Sequence, residues 1–251
     1  MAHVAFVLLK KARLPKPETL LPVLRRFAPG WGFWAKPPED KKQAKEIIEF
    51  GFDGGAVFVM VAPLAVPDGE ADRVFKYSLS SWSNKYTQPK HKAHLVVTMS
   101  LEGDMQLIEA QRLFTRAVAG VVEASEAVGV YWGMGNVSHP AKFFLDVVGD
   151  REDMWITLWT GISRARDNPL RMSLLSLGMA QFGLMDLLVT GPFDMGQDLL
   201  MSMFQALQYS LNRGQDIPEG DTIGGSSDDR LVVKYEQSPI DPEATIWRID
   251  Y

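Results

Sequence analysis

The 251-residue sequence contains no cysteine and only four histidines. The absence of cysteine excludes disulfide bonds, thiolate nucleophiles, iron–sulfur clusters and cysteine-ligated zinc. The longest apolar run, Ala56 to Val66, is shorter than the roughly 18 residues that a membrane-spanning helix needs, and it contains Pro63. Lysines follow the apolar N-terminal stretch instead of preceding it, so no export signal is predicted. Together these features predict a soluble, cytoplasmic protein without a membrane partner.

The composition, with 46% hydrophobic and 23% charged residues, is ordinary for a globular protein. We therefore expect one compact domain over residues 1–251. Two pseudo-repeat halves, 1–135 and 136–251, are possible within this domain. The net charge of −5 is unevenly distributed. Residues 1–50 carry ten basic and five acidic side chains, or +5, while the remainder carries 16 basic and 26 acidic ones, or −10. The overall pI of about 5.4 argues against a nucleic-acid partner.

Apolar residues recur at helical spacing near residues 104–126 and 194–213, which predicts the two longest helices. A helix from Pro17 to Phe27 and a short one over 43–50 are also expected. Strands are predicted at residues 4–9, 56–61, 94–99, 130–132, 155–162, 172–177, 231–235 and 245–249. The expected fold is α+β, a mainly antiparallel sheet with helices packed on it. The first half has a ferredoxin-like βαββαβ order, and the second half has a related strand–helix–strand order.

Patterns typical of catalysis are weak. His91 and His94 form an H-x-x-H pair, but positions i and i+3 of a strand face opposite ways, so we expect structural histidines. The Gly133-x-Gly135 spacing lacks the third glycine of a phosphate-binding loop and predicts a turn. Asp228 and Asp229 are adjacent, hence splayed, and make a poor acid–base pair. No catalytic residue, no cofactor site and no metal site is predicted.

Four motifs occur in order in the second half of the chain: Ala127-Val-Gly-Val-Tyr-Trp132, Pro140-Ala-Lys-Phe-Phe144, Gly178-Met-Ala-Gln-Phe-Gly-Leu184 and Gly220-Asp-Thr-Ile-Gly224. With these motifs the chain resembles a bacterial family known only as domain-of-unknown-function family 4261. The resemblance implies no activity. Some families of this size and layout contain immunity proteins that neutralise secreted bacterial toxins, for example type VI secretion effectors, but fold-level association of this kind assigns no residue.

Two segments are candidate contact surfaces for a partner protein. Tryptophan beside arginine is typical of interaction hot spots, and loops lie at the surface, although this loop could also fold back onto the core. The acidic segment could instead face a basic cleft of the partner. The candidate residues are Arg25, Arg26, Trp31 and Trp34 in the first segment and Asp216, Glu219, Asp221, Asp228 and Asp229 in the second.

The remaining tryptophans, at positions 132, 155, 159 and 247, are expected in the core. We therefore expect a non-enzymatic protein-binding protein, with an immunity protein as its specific form. An enzyme of unidentified chemistry and a small-ligand binding module remain as alternatives.

Overall fold

A computed structural model describes residues 3–38, 40, 43–224 and 230–251. The chain divides into two compact units. The first contains residues 3–133 and 137–152, and the second contains residues 134–136 and 153–251. The expectation of a single domain with halves 1–135 and 136–251 stays a prediction. None of the helices in the described ranges is long and apolar enough to cross a bilayer.

The first unit is built on a seven-stranded sheet in which all neighbouring strands run antiparallel. Its strands are β1 (His3–Leu9), β2 (Trp34–Ala35), β3 (Ile47–Phe52), β4 (Gly55–Ala62), β5 (Ala93–Leu101), β6 (Ala127–Trp132) and β7 (Val137–Pro140). Their order across the sheet is β2-β3-β4-β5-β1-β6-β7. The apolar β1 is therefore paired on both sides, and Phe6 faces Val96 on β5 and Tyr131 on β6.

The helices of the first unit are α1 (Pro17–Phe27), α2 (Gln43–Glu46), α3 (Glu70–Arg73), α4 (Leu107–Ala124) and α5 (Ala141–Asp150). The predicted limits of α1 are confirmed. Pro17 occupies the first helical turn, where its missing N–H removes no helical hydrogen bond. The predicted 104–126 helix is confirmed as α4. A Cβ built on Gly120 would lie 2.8 Å from Leu24 Cδ2, so this glycine lets α1 and α4 approach closely.

The second unit contains a five-stranded sheet in the order β13-β14-β10-β9-β8 and a separate β11–β12 pair. Its helices are α6 (Ile156–Trp159) and α7 (Gly196–Arg213), and its strands are β8 (Gly161–Arg166), β9 (Arg171–Leu177), β10 (Leu187–Pro192), β11 (Thr222–Ile223), β12 (Leu231–Val232), β13 (Lys234–Gln237) and β14 (Thr245–Asp250). The β10–β14 pair is parallel and the other pairs are antiparallel. Parallel neighbours need a long crossover, and α7 lies within this one.

The α+β class with mainly antiparallel sheets is confirmed. The ferredoxin-like βαββαβ order is not confirmed in detail, because β2 and β3 intervene between α1 and β4 and β7 follows β6. The predicted helix over 43–50 is wrong beyond Glu46, since Ile47–Phe52 pairs with β4 as a strand. The predicted strand at 155–162 is also wrong over most of its length, since α6 occupies its centre. The four tryptophans expected in the core are buried.

Candidate protein-interaction surface

Trp34 lies in β2, at one edge of the seven-stranded sheet, directly opposite Gly51 of β3. A Cβ built on Gly51 would lie 2.5 Å from Trp34 Cε2, so the indole covers the bare backbone of this glycine. Trp34 nevertheless keeps 46% of its surface exposed. An isolated glycine in a strand often marks such a close approach. The sequence prediction placed Gly51 directly after a helix over 43–50 and not in a strand, so it did not identify this contact.

The other predicted residues of this segment lie in α1 and in the segment between α1 and β2. The Arg25 Nε donates a hydrogen bond of 2.8 Å to the Phe33 carbonyl, next to Trp34 in the chain. Trp31 packs edge-on against Phe52, with ring centroids 5.8 Å apart, and is only partly exposed. We refer to Arg25, Arg26, Trp31 and Trp34 together as the Trp34 surface.

Arg26 differs from its neighbour because it has an ionic partner. Its guanidinium pairs with the Glu123 carboxylate of α4 and lies 5.0 Å from the centroid of the Phe27 ring. Both members of the pair are largely solvent-exposed, so the pair itself contributes little stability. All four predicted residues belong to α1, β2 and the segment between them, and Trp34 is exposed whereas Trp31 is only partly exposed.

Two of the predicted acidic side chains of the second unit have backbone partners within the unit. The Asp216 carboxylate accepts a hydrogen bond of 3.0 Å from the Met185 N–H, and Glu219 accepts one of 3.1 Å from the Tyr235 N–H. Asp221 is exposed. Asp228 and Asp229 lie outside the described residues. From here on, the name acidic segment covers only its described members, Asp216, Glu219 and Asp221.

The three carboxylates of the acidic segment are close enough to the Tyr235 phenol to act on it electrostatically. The phenol donates a hydrogen bond of 2.9 Å to the Ile217 carbonyl. Burial raises the pKa of Tyr235, and the negative charges of the three carboxylates raise it further. Burial also raises the pKa of Asp216, although the Met185 N–H opposes that shift. The structure therefore brings these three acids together, with two of them holding backbone in place.

Asp186, which precedes β10, is a structural centre that the sequence patterns did not reveal. Its carboxylate accepts hydrogen bonds from the Ser176 hydroxyl at 2.9 Å, the Met179 N–H at 3.1 Å and the Gly178 N–H at 3.3 Å. Ser176 in turn accepts a bond from the Leu187 N–H. Burial raises the pKa of Asp186 in spite of these donors. A single carboxylate thus fixes the turn between β9 and β10.

The histidines have structural roles. The His91 Nε2 accepts a hydrogen bond from the Val66 N–H at 3.1 Å, and His94 Nδ1 lies 2.9 Å from the Leu64 carbonyl, so both hold the connection after β4. Burial lowers the pKa of His94. Within the described ranges, no three histidine or carboxylate side chains are grouped as a metal site would require.

One serine–histidine pair has the distance of a catalytic dyad. The Ser78 hydroxyl lies 2.8 Å from His139 Nδ1. Both residues have no exposed surface, and Phe143 stacks on the imidazole. A nucleophile must reach its substrate, so this buried pair is better explained as part of the core. Gly135 is likewise structural: a Cβ there would lie 1.9 Å from the Trp159 carbonyl oxygen, in keeping with the predicted turn.

Comparison with protein families bears on the second unit. Residues 175–250 match the model of DUF4261, described as a domain of unknown function. The resemblance seen in the sequence is confirmed for this C-terminal part. Comparisons with curated proteins and with solved structures give no match. The motifs at 178–184 and 220–224 lie within the DUF4261 match, whereas those at 127–132 and 140–144 lie before it.

The DUF4261 match contains Asp186, the acidic segment and, except for Tyr251, the residues that line a groove of about 670 Å³ beside α7. Apolar side chains from α7 and from the β11–β12 region line much of this groove, among them Ala206, Ile217 and Ile223. Polar groups also face it, including the hydrogen-bonded hydroxyls of Ser202 and Tyr251. Volumes of 300–1,000 Å³ with a few convergent polar groups are typical of small-ligand sites.

Proposed function

We propose that this protein binds another protein through the Trp34 surface, and that this partner is a toxin which it neutralises in the cytoplasm. The observation that supports the binding role is the half-exposed indole of Trp34, seated on the backbone of Gly51. A single exposed apolar side chain is ordinary on a protein surface. Its fixed seat on an edge strand is the feature that suits an anchor.

The geometry lowers the cost of binding at Trp34. A side chain that is already held against a sheet loses little conformational freedom when a partner covers it. Arg25 of the same predicted segment is held by its bond to the Phe33 carbonyl. Tryptophan and arginine are the residue types that most often carry binding energy at protein interfaces. The exposed indole of Trp34 is therefore the candidate hot spot, and Arg25 is a second candidate contact.

The acidic segment has a smaller role in this proposal. Asp216 and Glu219 accept backbone hydrogen bonds, so a partner that drew their carboxylates away would disrupt the unit that contains them. Exposed Asp221 is available to attract a basic partner from solution. Charges of this kind act chiefly on the rate of association.

The toxin-neutralising part of the proposal rests on the resemblance to a family of unknown function and on the wider class of immunity proteins. An immunity protein needs complementary shape and a buried anchor but no catalytic groups. The Ser78–His139 pair is fully buried, and His3, His91 and His94 make hydrogen bonds within the fold, which is compatible with a role of this kind.

A pull-down from the native host with three forms of the protein tests the binding role. These are the wild type, Trp34→Ala and the control Phe193→Ala, which removes an aromatic side chain of nearly equal exposure, 47%, from the second unit. The wild type and the control should retain the same partner, and Trp34→Ala should lose it. With the purified partner, Trp34→Ala should weaken affinity by about 2–4 kcal/mol, mainly through faster dissociation.

The proposal is wrong if Trp34→Ala retains the partner as the wild type does. The toxin role has its own test, in which the captured partner is expressed alone and together with this protein. Growth inhibition that the wild type relieves and Trp34→Ala does not relieve would support it. A partner with no effect on growth would leave a binding protein that is not an immunity protein.

The groove beside α7 favours a second candidate function, a small-ligand binding module. Its volume and its apolar lining suit a compact organic ligand. Ala206→Trp would place an indole in the groove. If the module binds a metabolite, extracts of the host should raise the melting temperature of the wild type and leave that of Ala206→Trp unchanged. Equal shifts for the two proteins would exclude the groove as the site.

A further inference from the structure

A second groove, of about 610 Å³, lies in the first unit between the segment that joins β1 to α1 and the segment that joins α4 to β6. Lys11, Arg13 and Lys16 line one side of it, and Glu123 and Glu126 line the other. The groove is separate from the Trp34 surface in its lining residues. Its chemistry is dominated by the three cations.

The three lining cations are not neutralised from within. In the part of the chain that the structure describes, Lys11, Arg13 and Lys16 have neither an ion pair nor a side-chain hydrogen bond, and all three are exposed. Elsewhere in the same unit, Lys36 pairs with Glu49 and Lys142 pairs with Asp146. The segment from Lys10 to Lys16 carries four basic residues and no acidic residue.

The two opposing carboxylates offset only part of this charge. The guanidinium of Arg26 already pairs with Glu123, which leaves Glu126 as the one carboxylate facing the groove without a cation of its own. The three lining cations against the two lining glutamates leave a local charge of +1. This excess occurs in a chain whose net charge is −5, so it is a local property of the groove.

The backbone is held in place at the two ends of this basic segment. The Leu9 carbonyl accepts a hydrogen bond from the Lys92 N–H, and the Lys16 carbonyl accepts bonds from the Thr19 and Leu20 N–H groups. Leu9 and Pro15 are buried. Cations on a fixed backbone lose less freedom on binding a ligand than cations on a loose loop.

We propose that this groove binds a small polyanion that carries two or more linked phosphate groups. One monovalent anion would leave the remaining cations in mutual repulsion, whereas linked phosphates can contact all three. Arginine binds a phosphate through two parallel hydrogen bonds, and lysine binds it as a point charge. The volume of the groove suits a compact ligand of this charge and size.

Titration calorimetry at low ionic strength with inorganic tripolyphosphate tests the proposal. The wild type should bind one equivalent, and Lys11→Gln/Lys16→Gln should weaken binding by at least about tenfold. The matched control is Lys76→Gln/Lys85→Gln, which removes the same charge from exposed lysines of the same unit outside the groove. It should change the affinity by less than about twofold, because neither lysine lines the groove and neither can contact the ligand there.

Three further measurements sharpen the result. Arg13→Lys keeps the charge but loses the paired hydrogen bonds, so it should weaken tripolyphosphate binding while circular dichroism stays unchanged. If a nucleoside triphosphate binds more tightly than tripolyphosphate, the groove also contacts the nucleoside part of the ligand. Trp34→Ala should bind tripolyphosphate like the wild type, so a failure of the protein-binding proposal would not affect this one.

Three outcomes would overturn the inference. The wild type could show no binding of tripolyphosphate, or the control pair of substitutions could weaken binding as much as the groove pair. A glutamate-rich peptide that binds the groove more tightly than tripolyphosphate would show that the ligand is an acidic protein segment instead.

Discussion

The Trp34 surface and the acidic segment are both predicted contact surfaces, yet their side chains differ in what they do within the fold. The carboxylates of Asp216 and Glu219 accept hydrogen bonds from backbone N–H groups of their own unit. The indole of Trp34 covers Gly51 on one side and leaves nearly half of its surface open. If a partner engages a side chain that already hydrogen-bonds within the fold, those hydrogen bonds are lost and binding is weakened by that loss. An exposed side chain that only packs against the sheet loses no hydrogen bond when a partner covers it.

The largest expected effect is a loss of stability on removing the Asp186 carboxylate, which accepts three hydrogen bonds within the fold. Asp186→Ala leaves the Ser176 hydroxyl and the Gly178 and Met179 N–H groups without their acceptor. We expect the free energy of unfolding to fall by about 3 kcal/mol, because each unsatisfied donor in a partly buried site is penalised. Urea unfolding measures this loss. Exposed Asp221→Ala is the control and should change stability by less than about 0.5 kcal/mol.

The same variant predicts a dependence on pH. Burial raises the pKa of Asp186, so the folded state keeps its proton to a higher pH than the unfolded chain does. As the pH rises between the unfolded and the folded pKa, the wild type loses stability relative to Asp186→Ala. The stability difference between the two proteins should therefore be larger at the acidic end of this interval than at neutral pH. A difference that grows towards neutral pH would mean that the hydrogen bonds outweigh burial.

The next effect tests the seat of Trp34 without removing it. Gly51→Ala places a methyl group 2.5 Å from the indole, which can swing outward because it is half exposed. We expect affinity for the partner to fall about tenfold while stability changes by less than about 1 kcal/mol. Gly30→Ala is the matched control, since a Cβ at Gly30 meets no atom within 4 Å. Equal affinities for the two variants would mean that the orientation of Trp34 is unimportant.

Much of the fold could be predicted because local patterns agreed with tertiary packing. Pro17 and the apolar periodicity that follows it set the limits of α1, and Gly214, at φ 65°, ends α7 as expected. The prediction failed at α6, where Ile156, Thr157, Leu158 and Trp159 are all buried. With no polar face, a short apolar run does not distinguish the helical period from that of a strand.

The candidate surface was only partly predictable for a related reason. The Pro/Gly-rich loop identified Trp31 and Trp34 as candidates, but the exposure of each depends on β3, with Phe52 covering Trp31 and Gly51 supporting Trp34. The acidic segment was visible as a count of charges. Its backbone partners, Met185 and Tyr235, lie far away in the sequence and follow no pattern.

A smaller effect is expected at Asp216, which has one backbone partner. Asp216→Ala removes the acceptor of the Met185 N–H and should lower the free energy of unfolding by about 1 kcal/mol. It should leave the affinity for the partner within about twofold of wild type, because this carboxylate is assigned to the fold. Thermal unfolding and binding kinetics on the same preparations separate the two effects. A large loss of affinity with unchanged stability would make Asp216 a contact residue instead.

The smallest effect is expected at Asp221, the exposed member of the acidic segment. Asp221→Asn should leave stability unchanged, since its side chain accepts no hydrogen bond that the described part of the chain would lose. If it attracts a basic partner, the variant should slow association by up to about twofold at low salt, with unchanged dissociation. The difference should vanish near physiological ionic strength, where screening extends over about 8 Å. Stopped-flow association at two salt concentrations measures this, and faster dissociation instead would place Asp221 inside the contact with Trp34.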